Sequence, residues 1–112
     1  MNQQEQQLLN KMKRLIKEGK RYFEIRKDRD YLQDLEEIDI SEEEAWNIIE
    51  SLNFHFYFID TKPYYNRTNN VLVFKRPINK IIVYIKLKIE NLNNNEYTIC
   101  ISFHRDYKEV IK

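Results

Sequence analysis

Two segments near the end of the sequence carry polar side chains that alternate with apolar ones and could take part in phosphate chemistry. The polar members are Tyr84, Lys86 and Lys88 in the first segment and Cys100, Ser102 and His104 in the second. Successive side chains of a strand point to opposite faces, so each segment predicts a strand with one apolar face and one polar face. If the two strands pair, imidazole, phenol and ammonium groups gather on one surface. Such groups bind phosphate oxygens and transfer protons, which favours a site for a phosphate ester.

Each of these side chains also has an interpretation that involves no chemistry. His104 can be an ordinary surface histidine near the end of a strand. Lysines that alternate with core residues are common on solvated strands, where they discourage aggregation. His55, which lies inside the aromatic segment Phe54 to Phe58, is interpreted as structural. The patch becomes a functional candidate because its members share one predicted face.

Charge is unevenly distributed along the chain. Residues 1–60 carry nine basic and fourteen acidic side chains, whereas residues 61–112 carry ten basic and four acidic ones. Within the first part, residues 28–50 hold ten acidic side chains and a single basic one, Arg29. A cationic second part favours a polyanionic ligand, although acidic runs on helices are often only solvated surfaces.

Length and composition limit the classes of protein to consider. The chain of 112 residues predicts a single domain over residues 1–112 with one hydrophobic core. Its apolar runs are shorter than the roughly 18 residues of a membrane span, and its first residues lack the pattern of a secretion signal, so we expect a cytoplasmic protein without membrane partners. One cysteine and two histidines leave no zinc constellation, and one glycine leaves no glycine-rich phosphate loop. We therefore expect no cofactor.

Helical patterns dominate the first half of the chain. Apolar residues at helical spacing predict a helix over residues 3–18, with Gly19 as its left-handed cap. Ser41 and Glu44 have the spacing of a capping box and begin a helix whose apolar stripe ends near Leu52. A shorter helix between these two is capped by Asp28 or Asp30.

Strand patterns dominate the second half and define the expected fold. Strands are predicted over residues 21–26, 54–59, 71–75, 81–89 and 97–103. Turns at 77–80 and 91–95 are short enough for an antiparallel meander, and residues 60–70 form a candidate binding loop. We expect an α/β (α+β) fold in which N-terminal helices pack on one face of a mainly antiparallel sheet of four to six strands. The opposite face is expected to be open.

The order and spacing of these elements resemble the MqsR family, toxins of bacterial type II toxin-antitoxin systems. The residues that carry the resemblance are Ser51-Leu52 before an aromatic segment, Val71–Lys75, Val83–Lys88 and Cys100–His104. The resemblance covers most of the chain and is strongest from Val71 to His104. It implies a RelE-like fold, metal-independent endoribonuclease activity against messenger RNA, and inhibition by a cognate antitoxin of zinc-finger or DNA-binding type.

The residues of the family's site map onto this chain one by one. Its Val-Tyr-x-Lys strand places a tyrosine at Tyr84 and a lysine at Lys86. His104 stands where the family has a lysine at the end of its last strand. The family's glutamine before an arginine-proline pair has no counterpart before Arg76-Pro77. A further lysine of the family falls on Phe58, with Lys62 nearby.

The residue types and the resemblance together suggest how messenger RNA would be cleaved. His104 would move the proton because imidazole titrates near neutral pH, while Lys86 and Arg76 would bind the phosphate and Tyr84 would hydrogen-bond it or act as a second acid. Candidate RNA-binding residues are Lys62, Tyr64, Tyr65, Arg67, Lys75 and Lys88. The two loop tyrosines would either stack on unpaired bases or close over the edge of the core.

Two questions stay open at this point. The acidic segment 28–50 would either bind a basic tail of the antitoxin or only solvate its helices. Because part of the family's catalytic pattern is missing, the alternative to a nuclease is a non-catalytic RNA- or protein-binding module on the same scaffold.

Overall fold

Side-chain caps begin the three helices found in residues 1–58 and 70–107, the part of the chain that this computed structural model describes. The helices are α1 (Gln3–Lys17), α2 (Tyr31–Ile38) and α3 (Glu42–Glu50). Asp30 caps α2, and Ser41 and Glu44 form the predicted capping box of α3. Gly19 follows α1 with a φ of 80°, which confirms its predicted left-handed conformation. None of these helices has the length and apolarity needed to cross a bilayer.

The strands form a mixed sheet in the order β1-β4-β3-β2. Their bounds are Arg21–Phe23 for β1, Val71–Ile78 for β2, Ile81–Leu92 for β3 and Asn95–Arg105 for β4. β3 is antiparallel to both β2 and β4, as predicted. β1 runs parallel to β4, and the long connection that parallel strands require contains α2, α3, β2 and β3. The fold is therefore α+β, with three helices against a four-stranded sheet in the described residues.

Two-residue turns of asparagine and lysine join the long strands. Asn79 and Lys80 have φ values of 51° and 66°, and Asn93 and Asn94 have values of 52° and 67°. Positive φ at both central positions is the geometry of type I′ turns, whose twist matches that of the flanking strands. These turns fix the register of β2 on β3 and of β3 on β4.

A bulge in β4 changes which side chains share a face. Lys86 pairs with Ser102 and the next residue, Leu87, pairs with Cys100, so Ile101 is an extra residue in the ladder. Beyond the bulge, Cys100 shares the apolar face with Leu87 and is buried in the core. Its predicted place on the polar face is wrong, because strict alternation holds only where no residue is inserted.

The hydrophobic core lies between the helices and one face of the sheet. It includes Leu9, Met12 and Ile16 of α1, Leu35 and Ile38 of α2, Trp46 and Ile49 of α3, and Phe23, Phe74, Ile85, Leu87 and Phe103 of the sheet. Burial of this surface is the main source of stability of the fold.

The face of the sheet opposite the helices is covered at its centre, although it was expected to be open. Lys86 is 8% exposed, Ser102 is 7% exposed and Ile99 is 1% exposed. Part of the cover comes from the segment after β1, where Arg26 Nη1 lies 3.4 Å from Ser102 Oγ. The polar patch therefore lies in a partly enclosed environment.

The predicted strand over 54–59 is wrong for its first half. Phe54–Phe56 form a 3-10 turn, and the Asn53 side chain accepts a hydrogen bond of 2.9 Å from the backbone N–H of His55. Tyr57 then makes a single bridge to Phe74 of β2. A local side-chain cap thus overrides the β propensity of the aromatic residues.

Candidate active site around His104

The centre of the site is a pair of rings on adjacent strands. Tyr84 of β3 lies directly opposite His104 of β4, and their ring centroids are 5.5 Å apart with planes inclined by 19°. Tyr107, which follows β4, stacks on the imidazole at 5.9 Å and 21°. Both Tyr84 and His104 are partly buried. The predicted neighbourhood of phenol and imidazole is confirmed.

The hydrogen bonding of His104 fixes which of its ring nitrogens carries the proton. His104 Nδ1 lies 2.7 Å from the backbone carbonyl oxygen of Arg105. A carbonyl only accepts hydrogen bonds, so Nδ1 carries the hydrogen and donates it. In the neutral ring, Nε2 then presents a lone pair.

The surroundings of His104 favour that neutral form. Burial lowers the pKa of His104 below its usual value, the hydrogen bond to Arg105 opposes this, and the cationic Arg29 adds to the lowering. At neutral pH the imidazole is therefore uncharged. It has the protonation state of a general base.

Lys86 and Ser102 form the next cross-strand pair on the same face. Both are buried, and Arg26 approaches them from the segment after β1 through its contact with Ser102. Arg26 also binds Asp28 with both arms of its guanidinium, at 2.9 and 3.1 Å. Lys86 and Ser102, together with Arg26, therefore add a hydroxyl and two cations to the ring pair of Tyr84 and His104.

Lys75 and Lys88, two of the predicted RNA-binding cations, form ion pairs within the protein. Lys88 Nζ lies 3.0 Å from a carboxylate oxygen of Glu24 and 3.6 Å from one of Glu90. Burial favours its neutral amine, but the two carboxylates raise the pKa of Lys88 above its ordinary value. Lys75 Nζ lies 2.8 Å from Asp106 Oδ2 and 4.0 Å from the ring centroid of Phe58. Each of these charges has an internal counter-ion.

Arg76 does not join the site, and its predicted contact with the same phosphate as Lys86 is wrong. Arg76 pairs with Val83 and shares the core face of β2 with Phe74. Its guanidinium lies over the ring of Phe56 at 4.8 Å and contacts the backbone oxygen of Ile48 at 3.5 Å and the hydroxyl of Ser51. Ile48 and Ser51 lie at the C-terminal end of α3, so Arg76 caps that helix on the core face of the sheet, away from His104.

The predicted loop residues Lys62, Tyr64, Tyr65 and Arg67 lie outside the described part of the chain. Within the described ranges 1–58 and 70–107, no three or more histidine, cysteine, aspartate or glutamate side chains are grouped to hold a metal ion.

Sequence reasoning missed Arg26, Arg29 and Tyr107. The two arginines belong to the part of the chain with the acidic excess, and they reach the site because β1 pairs with β4. Long-range parallel pairing leaves no local signal in a sequence. For Tyr107 a signal was present, since it follows His104 by three residues and is aromatic.

Comparisons of this chain with protein-family models, with curated proteins and with solved structures found no match.

Proposed function

We propose that this protein is an endoribonuclease that cleaves messenger RNA by attack of a ribose 2′-OH on the adjacent phosphate. The observation that carries the proposal is the geometry around His104. Its Nδ1 is bonded to the Arg105 carbonyl, so Nε2 can present a lone pair, and its ring stacks on Tyr84 on the face of the sheet that also carries Lys86. A base, a hydroxyl acid and a cation on one surface are the groups that this reaction requires.

The reaction proceeds by in-line displacement at phosphorus. His104 Nε2 takes the proton of the 2′-OH, the 2′ oxygen bonds to phosphorus, and the bond from phosphorus to the 5′ oxygen breaks. The Tyr84 hydroxyl gives a proton to the departing 5′ oxygen, and the Lys86 ammonium stabilises negative charge on the phosphorane oxygens. The products are a 2′,3′-cyclic phosphate and a 5′-hydroxyl end.

The biological setting of the proposal comes from the resemblance to the MqsR family. It includes a RelE-like fold, a role as the toxin of a type II toxin-antitoxin system, a cytoplasmic location and an antitoxin partner. A neighbouring gene for a small DNA-binding or zinc-finger protein would support this setting, and purification of the two products as one complex would test it.

Cleavage of a defined single-stranded RNA tests the proposed chemistry. We expect the wild-type protein to give 2′,3′-cyclic phosphate ends, and His104→Ala to cut at least about a hundredfold more slowly, because general base catalysis contributes about 100- to 10,000-fold. The matched control is His55→Ala, since His55 is exposed on the 3-10 turn outside the site. A substrate with 2′-O-methyl groups should resist cleavage.

Two results would contradict the nuclease. One is intact RNA in every reaction, with and without ribosomes. The other is equal rates for wild type and His104→Ala, which would place the activity in a contaminant or in another site.

The ion pairs of the polar face support a second candidate function, a binding module without catalysis. Glu24, Asp28 and Asp106 neutralise Lys88, Arg26 and Lys75, so much of the charge expected to hold phosphates is compensated inside the protein. Binding of single-stranded RNA without cleavage, measured by fluorescence anisotropy, would favour this function over the nuclease.

A further inference from the structure

Tyr107 is held beside the imidazole of His104 by polar contacts more than by burial. Tyr107 is 58% exposed, yet its hydroxyl forms hydrogen bonds with both Arg29 and Glu37. Arg29 Nη2 donates to Tyr107 Oη at 3.3 Å, and Tyr107 Oη donates to Glu37 Oε2 at 3.1 Å. The guanidinium carbon of Arg29 also lies 5.4 Å from the centroid of the Tyr107 ring. These directed contacts, more than burial, define where the Tyr107 ring lies.

Helix α2 anchors these contacts through one of its faces. Asp34 and Glu37 are three residues apart and therefore neighbours on the helix surface. Asp34, a buried carboxylate, accepts a hydrogen bond of 2.8 Å from Arg29 Nε. Arg29 can use its other nitrogen on Tyr107 because the guanidinium is a rigid fork. The chain of contacts thus runs from a buried carboxylate of α2 through Arg29 and Tyr107 to His104.

The imidazole needs such support because its own hydrogen bond is local and partly exposed. Nδ1 is bonded to the carbonyl of the next residue, Arg105, and the ring torsion of histidine has a broad energy profile. Tyr84 and Tyr107 restrict the plane of the ring, and the position of Nε2 follows from that plane. A base contributes to catalysis only when it is held within hydrogen-bond reach of its proton.

We propose that Tyr107 is a positioning residue for His104, and that Arg29, Asp34 and Glu37 hold Tyr107 in place. The consequence for catalysis rests on the proposed nuclease function, whereas the effect on the imidazole can be measured without RNA. The charged and titratable groups that face the imidazole are Tyr84 of β3, Arg26 and Arg29 of the segment after β1, Asp34 of α2, and Tyr107 itself.

NMR of the two histidine side chains tests the proposal, with ¹⁵N shifts reporting tautomer and pH titrations reporting pKa. In Tyr107→Ala we expect the pKa of His104 to rise towards its usual value and its tautomers to mix, because the ring becomes exposed and mobile. Tyr107→Phe keeps the ring and its contact with the Arg29 guanidinium but loses the hydrogen bonds of the hydroxyl with Arg29 and Glu37, so a smaller change in the same direction is expected. His55 serves as the internal reference and should not change.

Two further variants serve as controls. One shows whether the position of Tyr107, and not only the positive charge of Arg29, affects His104; the other shows whether loss of any aromatic ring from the sheet would have the same effect. Arg29→Lys keeps the positive charge but lacks the fork that joins Asp34 to Tyr107, so we expect it to change the tautomer signal as Tyr107→Phe does. Tyr22→Ala removes an exposed ring that contacts Tyr97 at a tilted angle elsewhere on the sheet, and it should leave His104 unchanged. Trp46 fluorescence verifies that each variant is folded.

The same variants, measured in the RNA cleavage assay, show whether the position of the His104 imidazole affects catalysis. Tyr107→Ala should lower kcat about tenfold with little change in KM, because binding is retained while the base is misplaced. Unchanged tautomer and pKa of His104 in both Tyr107→Ala and Arg29→Lys would overturn the positioning role. If the wild-type protein does not cleave RNA, the nuclease proposal fails on its own, and the NMR result still decides the role of Tyr107.

Discussion

His104 acquires its chemistry from residues that lie far from it in the sequence. Its tautomer comes from the adjacent carbonyl of Arg105, but burial and the cation of Arg29 lower its pKa. A histidine with the same sequence neighbours on an open strand would be partly protonated near neutral pH. The environment built by the fold therefore selects the base form of this side chain.

The depressed pKa of His104 predicts a pH dependence of stability. The unfolded chain binds a proton at His104 near pH 6.5, whereas the folded chain does so only at lower pH, so the unfolded state holds more protons in this window. The free energy of unfolding should therefore decrease as pH falls through about 6.5. Urea unfolding followed by Trp46 fluorescence measures this slope.

In His104→Gln the part of the pH dependence of unfolding free energy that comes from His104 should disappear. The control is His55→Gln, which should keep that part because His104 is still present. Carboxylate titrations are common to all three proteins and cancel in the difference between them. A wild-type protein that gains stability relative to His104→Gln as the pH falls would contradict the assignment of a partly buried imidazole that is neutral in the folded state.

Period-two alternation places most of the candidate site residues, and its failures have physical causes. It predicts Tyr84, Lys86 and His104 on one face, as found. It fails for Cys100 because the inserted Ile101 reverses the alternation. For Arg76 the alternation alone would have given the correct face. Arg76 is two residues from Phe74, a core residue of the same strand, so its side chain belongs on the face away from His104.

The ends of helices and the turns between strands could be predicted because they depend on local side-chain chemistry. The capping box at Ser41, the left-handed Gly19 and both asparagine-containing turns are found where the sequence places them. The pairing of β1 with β4 was not accessible, because three residues carry little pattern and their partner is distant along the chain. That pairing brings Arg26 and Arg29 to the site, and neither arginine was predicted there.

The turn at Asn93 and Asn94 provides a test of the strand register. Asn94 has a φ of 67° and is exposed, so substitutions there act through backbone conformation. We expect Asn94→Val to destabilise the protein by about 1–2 kcal/mol, the cost of a left-handed conformation for a residue with a branched side chain. Asn94→Gly should be neutral or stabilising by up to about 1 kcal/mol.

The matched control is Asn91→Val, because Asn91 is an exposed residue within β3, where valine is favoured. Urea midpoints at constant m value give the comparison. Equal stability of Asn94→Val and Asn91→Val would show that the turn does not impose a positive φ.

Across the whole molecule, charges that are separated along the sequence are paired in space. Lys11 of α1 binds Glu96 of β4 at 2.8 Å, and Glu24 binds Lys88. The net charges of the two sequence halves therefore overstate the charge of the sheet surface. A ligand for this surface meets a mixture of cations, carboxylates and aromatic rings.

Cys100 provides a probe of cooperative unfolding. It lies at the centre of the sheet, where β4 is paired with β1 on one side and β3 on the other, and burial raises the pKa of its thiol. We expect labelling by a thiol reagent to be at least about a thousandfold slower than for an exposed cysteine, since the thiol reacts only through unfolding.

An exposed reference is Asn91→Cys in a Cys100→Ser background. The opening free energy of Cys100 obtained from labelling should equal that from Trp46 fluorescence, because both groups lie in the same core. Faster labelling would show that β1 detaches from the sheet without global unfolding.

The parallel pairing of β1 with β4 sets the moment at which the site can form during synthesis. Arg29 and Tyr107 are 78 positions apart, and α2, α3 and the three strands β2, β3 and β4 are made between them. While β4 is inside the exit tunnel of the ribosome, Arg29 has already been made, but the stacked rings of His104 and Tyr107 are not yet in place beside it. The candidate site therefore cannot form until the ribosome has synthesised β4 and Tyr107, the last of its parts.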